Sequence, residues 1–155
     1  MKANLFVIFQ YLLPRHWLTA VVFRIARIRN TRIKDFLITR FVRAFDVDVD
    51  EVRLDVPGDF ATFNEFFIRE LKDDARKIDD DSDAIISPVD GTVSFAGKIL
   101  GDSIFQAKGF DYSLGDLLAT DLDEVDRYID GNFATIYLAP YNYHRVHAPL
   151  AGELV

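Results

Sequence analysis

The stretch "AIISPVDGTVSFAGKI", residues 84–99, is where the chain changes period. Before it, apolar residues recur every three to four positions. Within it, β-branched and aromatic residues gather around one Asp90-Gly91 pair. That composition predicts strand, and the Asp-Gly pair predicts a hairpin. Downstream, "QAKGFDYSLGDLL" (106–118) carries a turn at Lys108-Gly109, and Ser113 with Asp116 can open a short helix. "IDGNFATIYLAP" (129–140) gives a second Asp-Gly turn and then a strand. Its alternation sets Phe133, Thr135 and Tyr137 on one face, and Ala134, Ile136 and Leu138 on the other.

Upstream of residue 84 the helical period holds. In "TFNEFFIREL" (62–71), Thr62 and Glu65 form a capping box, and Phe63, Phe66, Phe67 and Leu71 make one apolar face. A solvated charge run, "DDARKIDDDSDA" (73–84), follows it. An acidic connector, "DVDVDEVRLDVPGD" (46–59), precedes it and closes on the turn signal Pro57-Gly58. The expected class is α+β: N-terminal helices, then a mostly antiparallel sheet domain with short helices. Two regions are expected, a basic, amphipathic helical one over 1–45 and an α+β one over 46–155.

Composition sets the outer bounds. The 155 residues are 50% hydrophobic, with fourteen Phe and six Tyr, which excludes a disordered chain. Cysteine is absent, so disulfides, thiolate metal sites and Cys nucleophiles are excluded. Residues 1–45 hold nine Lys or Arg against Asp35 alone, a balance of +8, which leaves −15 for the rest of a chain of net charge −7. A basic arm with an anionic partner and an acidic body fit that split.

The arm is greasy as well as basic. Its runs Leu5–Leu13 and Trp17–Ala26 are broken by Gln10 and Arg24, and neither reaches the roughly 20 apolar residues of a bilayer span. No small-residue cleavage site of a signal peptide follows the apolar run. Leu18, Val21, Val22, Ile25 and Ile28 share one helical face, with Arg24 and Arg27 on another. Ile33, Phe36, Leu37, Phe41 and Phe45 repeat the pattern, with Arg40 inside the stripe. Cationic flanks beside Trp and Phe describe helices lying in an anionic membrane surface. The alternatives are a plain helical hairpin packed on a core and, less well matched to so much aliphatic surface, nucleic-acid binding.

Chemistry concentrates in "APYNYHRVHAPLAGELV" (139–155). It holds two of the three histidines, His144 and His147, between Pro140 and Pro149. On a helix or turn, three-residue spacing would place both imidazoles on one face. Asp90 is the carboxylate that could orient an imidazole acting as a base. Two His and one Asp would also suit zinc, although HExxH is absent. Each His alone could equally be a buried, hydrogen-bonded core residue. Ser82, Ser87, Ser94, Ser103 and Ser113 are present, but none lies in a G-x-S-x-G elbow. A base and an orienting acid are visible, and the nucleophile is not. "SPVDGTV" (87–93) and "APLAGEL" (148–154) echo each other. Paired units of that kind occur in lipoyl and biotinyl carrier domains, but here the tip carries Asp90 in place of a modifiable Lys.

Taken in order, "TFNEFFIREL", "SPVDGTV", "QAKGFDYSLGDLL" and "YLAPYNYHRVHAPLAG" resemble phosphatidylserine decarboxylase of the bacterial proenzyme type, and the greasy basic arm resembles that family's membrane-docking helices. The resemblance runs along essentially the whole chain. It implies a precursor that cleaves itself at a serine in a Leu-Gly-Ser-Thr-like motif. The serine becomes a pyruvoyl group on a small α chain. That group forms a Schiff base with phosphatidylserine, releasing CO2 and leaving phosphatidylethanolamine. Carried over by motif, Asp90 is the orienting acid, His147 the base of self-cleavage, and His144 the residue assisting decarboxylation. Tyr143 and Arg145 belong to the motif without an assigned role, and Asn142 stands where an acid is expected. No Leu-Gly-Ser occurs in the sequence, so the expectation is a portion of the β chain, inactive alone and lacking a pyruvoyl source. The implied partners are phosphatidylserine, an anionic membrane surface and the chain's own α chain, with a homodimer also allowed and no nucleic acid or metal. The implied location is peripheral, on the cytoplasmic face of the cell membrane. A non-catalytic lipid-binding module is the competing reading.

Overall fold

Over residues 15–45 the helical spacing of the arm is realised as two helices in a computed structural model, which describes residues 15–81, 83–99, 103–106, 110–118 and 125–152; the Leu5–Leu13 run lies outside the described residues. Helix α1 is Arg15–Ile25 and α2 is Thr31–Phe45. Asn30 starts α2, its Oδ1 accepting from the amides of Arg32 (3.1 Å) and Ile33 (3.3 Å). Asp46 ends it in the left-handed region at φ 51°, a conformation Asp tolerates, and Val47 then turns back into the core. No helix among the described residues is long and apolar enough to cross a membrane.

The chain forms two compact units, Met1–Asp79 and Asp80–Val155. In the first, Ile38, Val47, Val52, Phe60 and Phe66 make a core, with Phe41, Val42, Val56 and Phe63 packed on it. Phe41 is its hub, with ring centroids of Phe63 at 5.1 Å, Phe67 at 5.9 Å and Phe66 at 6.3 Å, all near edge-to-face. The capping box forms in part. Thr62 Oγ1 accepts from the Glu65 amide (3.1 Å), but the Glu65 carboxylate reaches past Thr62 to the amide of Ala61 (2.9 Å). The helix it opens, α3, is only Phe63–Phe67. Beyond it Leu71 bridges Val52 in antiparallel fashion, tying the acidic connector to the end of this motif.

The apolar stripe expected on α2 divides. Phe41 turns to the core beside Ile38 and Val42, whereas Ile33 and Phe36 stay exposed. Buried among the inward positions is Lys34. Its Nζ donates to the carbonyls of Pro57 (3.0 Å) and Gly58 (3.3 Å) and pairs with Asp35.

In the second unit the period-two reading holds, but the hairpin does not. Strand β1 (Thr92–Lys98) begins just after Gly91 and pairs antiparallel with β4 (Asn132–Tyr137), some forty residues on. Asp90-Gly91 is therefore an entry bend. Upstream of the bend, Ile86 and Pro88 bond to the 147–149 run and not to β1. Gly91 is required there for another reason: a Cβ would lie 2.7 Å from both Ile136 Cγ2 and the Tyr137 carbonyl oxygen. The β1–β4 register shifts between Val93 and Phe95, and Ser94 Oγ donates to the Thr135 carbonyl (3.1 Å) at that irregularity.

Strands β2 (Ser103–Gln106) and β3 (Phe110–Ser113) also pair antiparallel. The Lys108-Gly109 turn lies between them, outside the described residues. Helix α4 (Leu114–Leu118) follows Ser113 as expected, although the Asp116 side chain lies outside the described residues. Asp130 (φ 61°) and Gly131 make the turn into β4. Ile99, Leu114 and Val125 form this unit's core with Phe133 against it. The β4 alternation holds for Phe133 and Thr135, half-buried, and for exposed Ala134; it reverses at half-buried Ile136 and exposed Tyr137, beyond the register shift. The architecture is α+β, with helices ahead of antiparallel two-stranded ladders.

Candidate active site

Two segments without regular ladder structure build the site: the "SPVDG" bend (87–91) and the run 139–149. Strand β4 ends at Tyr137, and Ala139-Pro140 then opens a turn closed by Asn142. The Ala139 amide donates to Asn142 Oδ1 (2.7 Å), and the Asn142 amide donates back to the Ala139 carbonyl (2.9 Å). This explains how Asn stands where an acid was expected, since either side chain offers an oxygen to that amide.

The chain then runs back along the bend. The His147 amide donates to the Pro88 carbonyl (2.8 Å), and the Ile86 amide donates to the Pro149 carbonyl (3.2 Å). These two bonds pair 86–88 antiparallel with 147–149. The two echoing stretches thus meet at their starts. The pairing sets His147 beside a bend whose next residue but one after Pro88 is Asp90, half-buried. Ser87 Oγ donates to the Val89 carbonyl (2.7 Å), which tightens the same bend.

Residues 143–148 have no helical turn, so the three-residue spacing does not place His144 and His147 on one face in the expected way. In extended backbone, even spacing brings side chains to one side. Tyr143 and His147, four apart, do meet: the Tyr143 hydroxyl lies 3.0 Å from His147 Nε2, and the rings stack at 5.4 Å and 26°. Tyr143 is only 9% exposed, whereas His147 is exposed. His144 is presented differently. It is half-buried, with Nε2 removed from solvent. Sequence reasoning gave Tyr143 no part; the signal that could have found it is the Tyr-x-x-x-His spacing read on extended backbone.

Ser87 and Ser94 both spend their hydroxyls on backbone carbonyls. Among the described residues no three His, Cys, Asp or Glu side chains gather as a metal-ligand group. What the arrangement offers is proton chemistry: an accessible imidazole in a fixed pose, a second imidazole in a drier setting, and a carboxylate on the adjoining bend.

Comparison with known proteins agrees with the motif order. The family model described as phosphatidylserine decarboxylase matches residues 63–155, and one described as PSD matches residues 5–46. A protein of Bordetella pertussis named phosphatidylserine decarboxylase proenzyme is 46% identical over 153 residues, covering 99% of this chain and 52% of that relative. Proteins of the same name from Legionella pneumophila and Saccharophagus degradans are each 45% identical, covering 94% and 99% of this chain and 51% and 54% of their own lengths. The chain spans about half the length of the curated relatives it matches.

Proposed function

The chain belongs to the phosphatidylserine decarboxylase family, and from that membership we propose that it is the N-terminal part of a self-cleaving proenzyme that makes phosphatidylethanolamine from phosphatidylserine. The observation that supports this reading is the hydrogen bond from the His147 amide to the Pro88 carbonyl, which brings the backbones of the "HRVH" and "PVDG" motifs side by side. The reactive serine is supplied by sequence outside these 155 residues, which contain no Leu-Gly-Ser.

In this account His147 takes the serine hydroxyl proton and Asp90 stabilises the resulting imidazolium, the usual division of labour between an imidazole and its carboxylate. The pyruvoyl group formed from the serine supplies an electrophilic carbonyl that accepts electrons as CO2 leaves. The side chains present fit such a group, because what they offer is proton transfer beside a carbonyl. His144, with Nε2 away from solvent, holds the proton delivered to the product carbon. Residues 1–45 act as the docking region, and 46–155 contribute to the catalytic domain. Exposed Trp17, Leu18, Val22 and Phe23 on α1 and Phe36 on α2, among arginines, support a peripheral position on an anionic membrane surface, where the lipid head group is met.

The test is substitution in the complete protein. His147→Ala should leave a single uncleaved chain. His144→Ala should permit cleavage and lower decarboxylation by about a hundredfold or more. Normal maturation of His147→Ala would refute the assignment. A non-catalytic lipid-binding module would share the arm but would show no cleavage in any variant.

A further inference from the structure

The Tyr143–His147 contact does work that the reading above does not use. Three constraints converge on His147. Its amide is tied to Pro88, its ring stacks on a buried tyrosine, and its Nε2 meets the hydroxyl of that same tyrosine at 3.0 Å. The tyrosine is itself fixed, being 9% exposed and following directly on the turn locked by Asn142 and Ala139. The direction of the hydrogen bond follows from chemistry. A phenolic O–H is a stronger donor than a neutral imidazole N–H, and an imidazole nitrogen is a better acceptor than a phenolic oxygen.

We propose that Tyr143 is the positioning residue of His147: its hydroxyl donates to Nε2 and so holds the neutral ring with its proton on Nδ1. That is the tautomer a base at Nε2 requires, with the lone pair unprotonated and the Nδ1 hydrogen left for a carboxylate. The inference rests on the proenzyme reading for its catalytic meaning, but the tautomer itself does not. When the serine hydroxyl arrives it replaces the tyrosine hydroxyl at Nε2. The serine proton passes to Nε2, the tyrosine keeps its own, and the ring becomes imidazolium with protons on both nitrogens.

Tyr143→Phe in the complete protein tests this, because it keeps the buried ring and the stack and removes only the hydroxyl. Nitrogen-15 NMR of the histidine side chains, at a pH where they are neutral, reads the tautomer directly. If the wild type matures, its uncleaved form is held by alanine at the cleavage serine. The expected result is an Nδ1–H tautomer for His147 that becomes mixed in Tyr143→Phe, with self-cleavage slowed about tenfold. Tyr141→Phe, at an exposed neighbour, should change neither. A wild-type proton on Nε2, or a tautomer unchanged in Tyr143→Phe, overturns the proposal whatever the cleavage rate. The expected tautomers in a protein that never cleaves would uphold the positioning role and sink the proenzyme reading.

Discussion

Lys34 places its ammonium against two backbone carbonyls and one carboxylate, so α2 and the Pro57-Gly58 turn share a charged clamp. Replacing it with Met keeps the stem but strips the Pro57 and Gly58 carbonyls of their donor. Urea unfolding of Lys34→Met should show a loss of about 1–3 kcal/mol, the scale of hydrogen bonds made by a charged group. An unchanged midpoint would mean that the clamp is incidental. Asn142 offers a gentler test. Asn142→Asp retains an oxygen for the Ala139 amide and should stay within about 0.5 kcal/mol, whereas Asn142→Leu should cost about 1 kcal/mol and slow maturation. At this scale the sequence singled out Asp90, His144 and His147 as candidates, because few residue types can move protons and these stood in compact motifs. It did not disclose Tyr143, Asn142 or Lys34. Their roles depend on which backbone atom or ring the fold brings to them, and composition carries no record of that.

Among the elements, local signals were legible and long-range pairing was not. The Thr62 cap, the phenylalanine face after it and the helix after Ser113 are written in neighbouring residues, and all three form. The hairpin at Asp90-Gly91 was misread because β1 finds its partner in β4, far along the chain. An Asp-Gly pair reads the same in a hairpin and in a bend. The α2 stripe was misread in part because an apolar face does not reveal which half of it meets the core. Two substitutions gauge these elements. Phe66→Ala empties a fully buried position in the Phe41 cluster and should cost about 3–5 kcal/mol in denaturant unfolding. Gly91→Ala drives a methyl into Ile136 and the Tyr137 carbonyl, so it should cost about 1–3 kcal/mol and disturb the bend that carries Asp90. A Gly91→Ala protein of normal stability that cleaves normally would show that the close approach relaxes without consequence.

At the scale of the molecule, the basic arm and the acidic remainder divide the labour proposed for the chain. Membrane docking predicts that the complete protein floats with vesicles containing anionic phospholipid, that binding weakens as salt rises, and that Trp17→Ser with Phe36→Ser abolishes most of it. Equal binding to neutral vesicles, or no effect of the double substitution, would count against docking through these helices. The central claim is that this chain supplies the base and its orienting acid to a precursor that cuts itself. The most direct measurement is the intact mass of the product of the complete coding frame that contains these residues. The account predicts two chains, the larger carrying Asp90, His144 and His147 and the smaller beginning with a pyruvoyl group. A single unmodified chain from a frame of full length would contradict it.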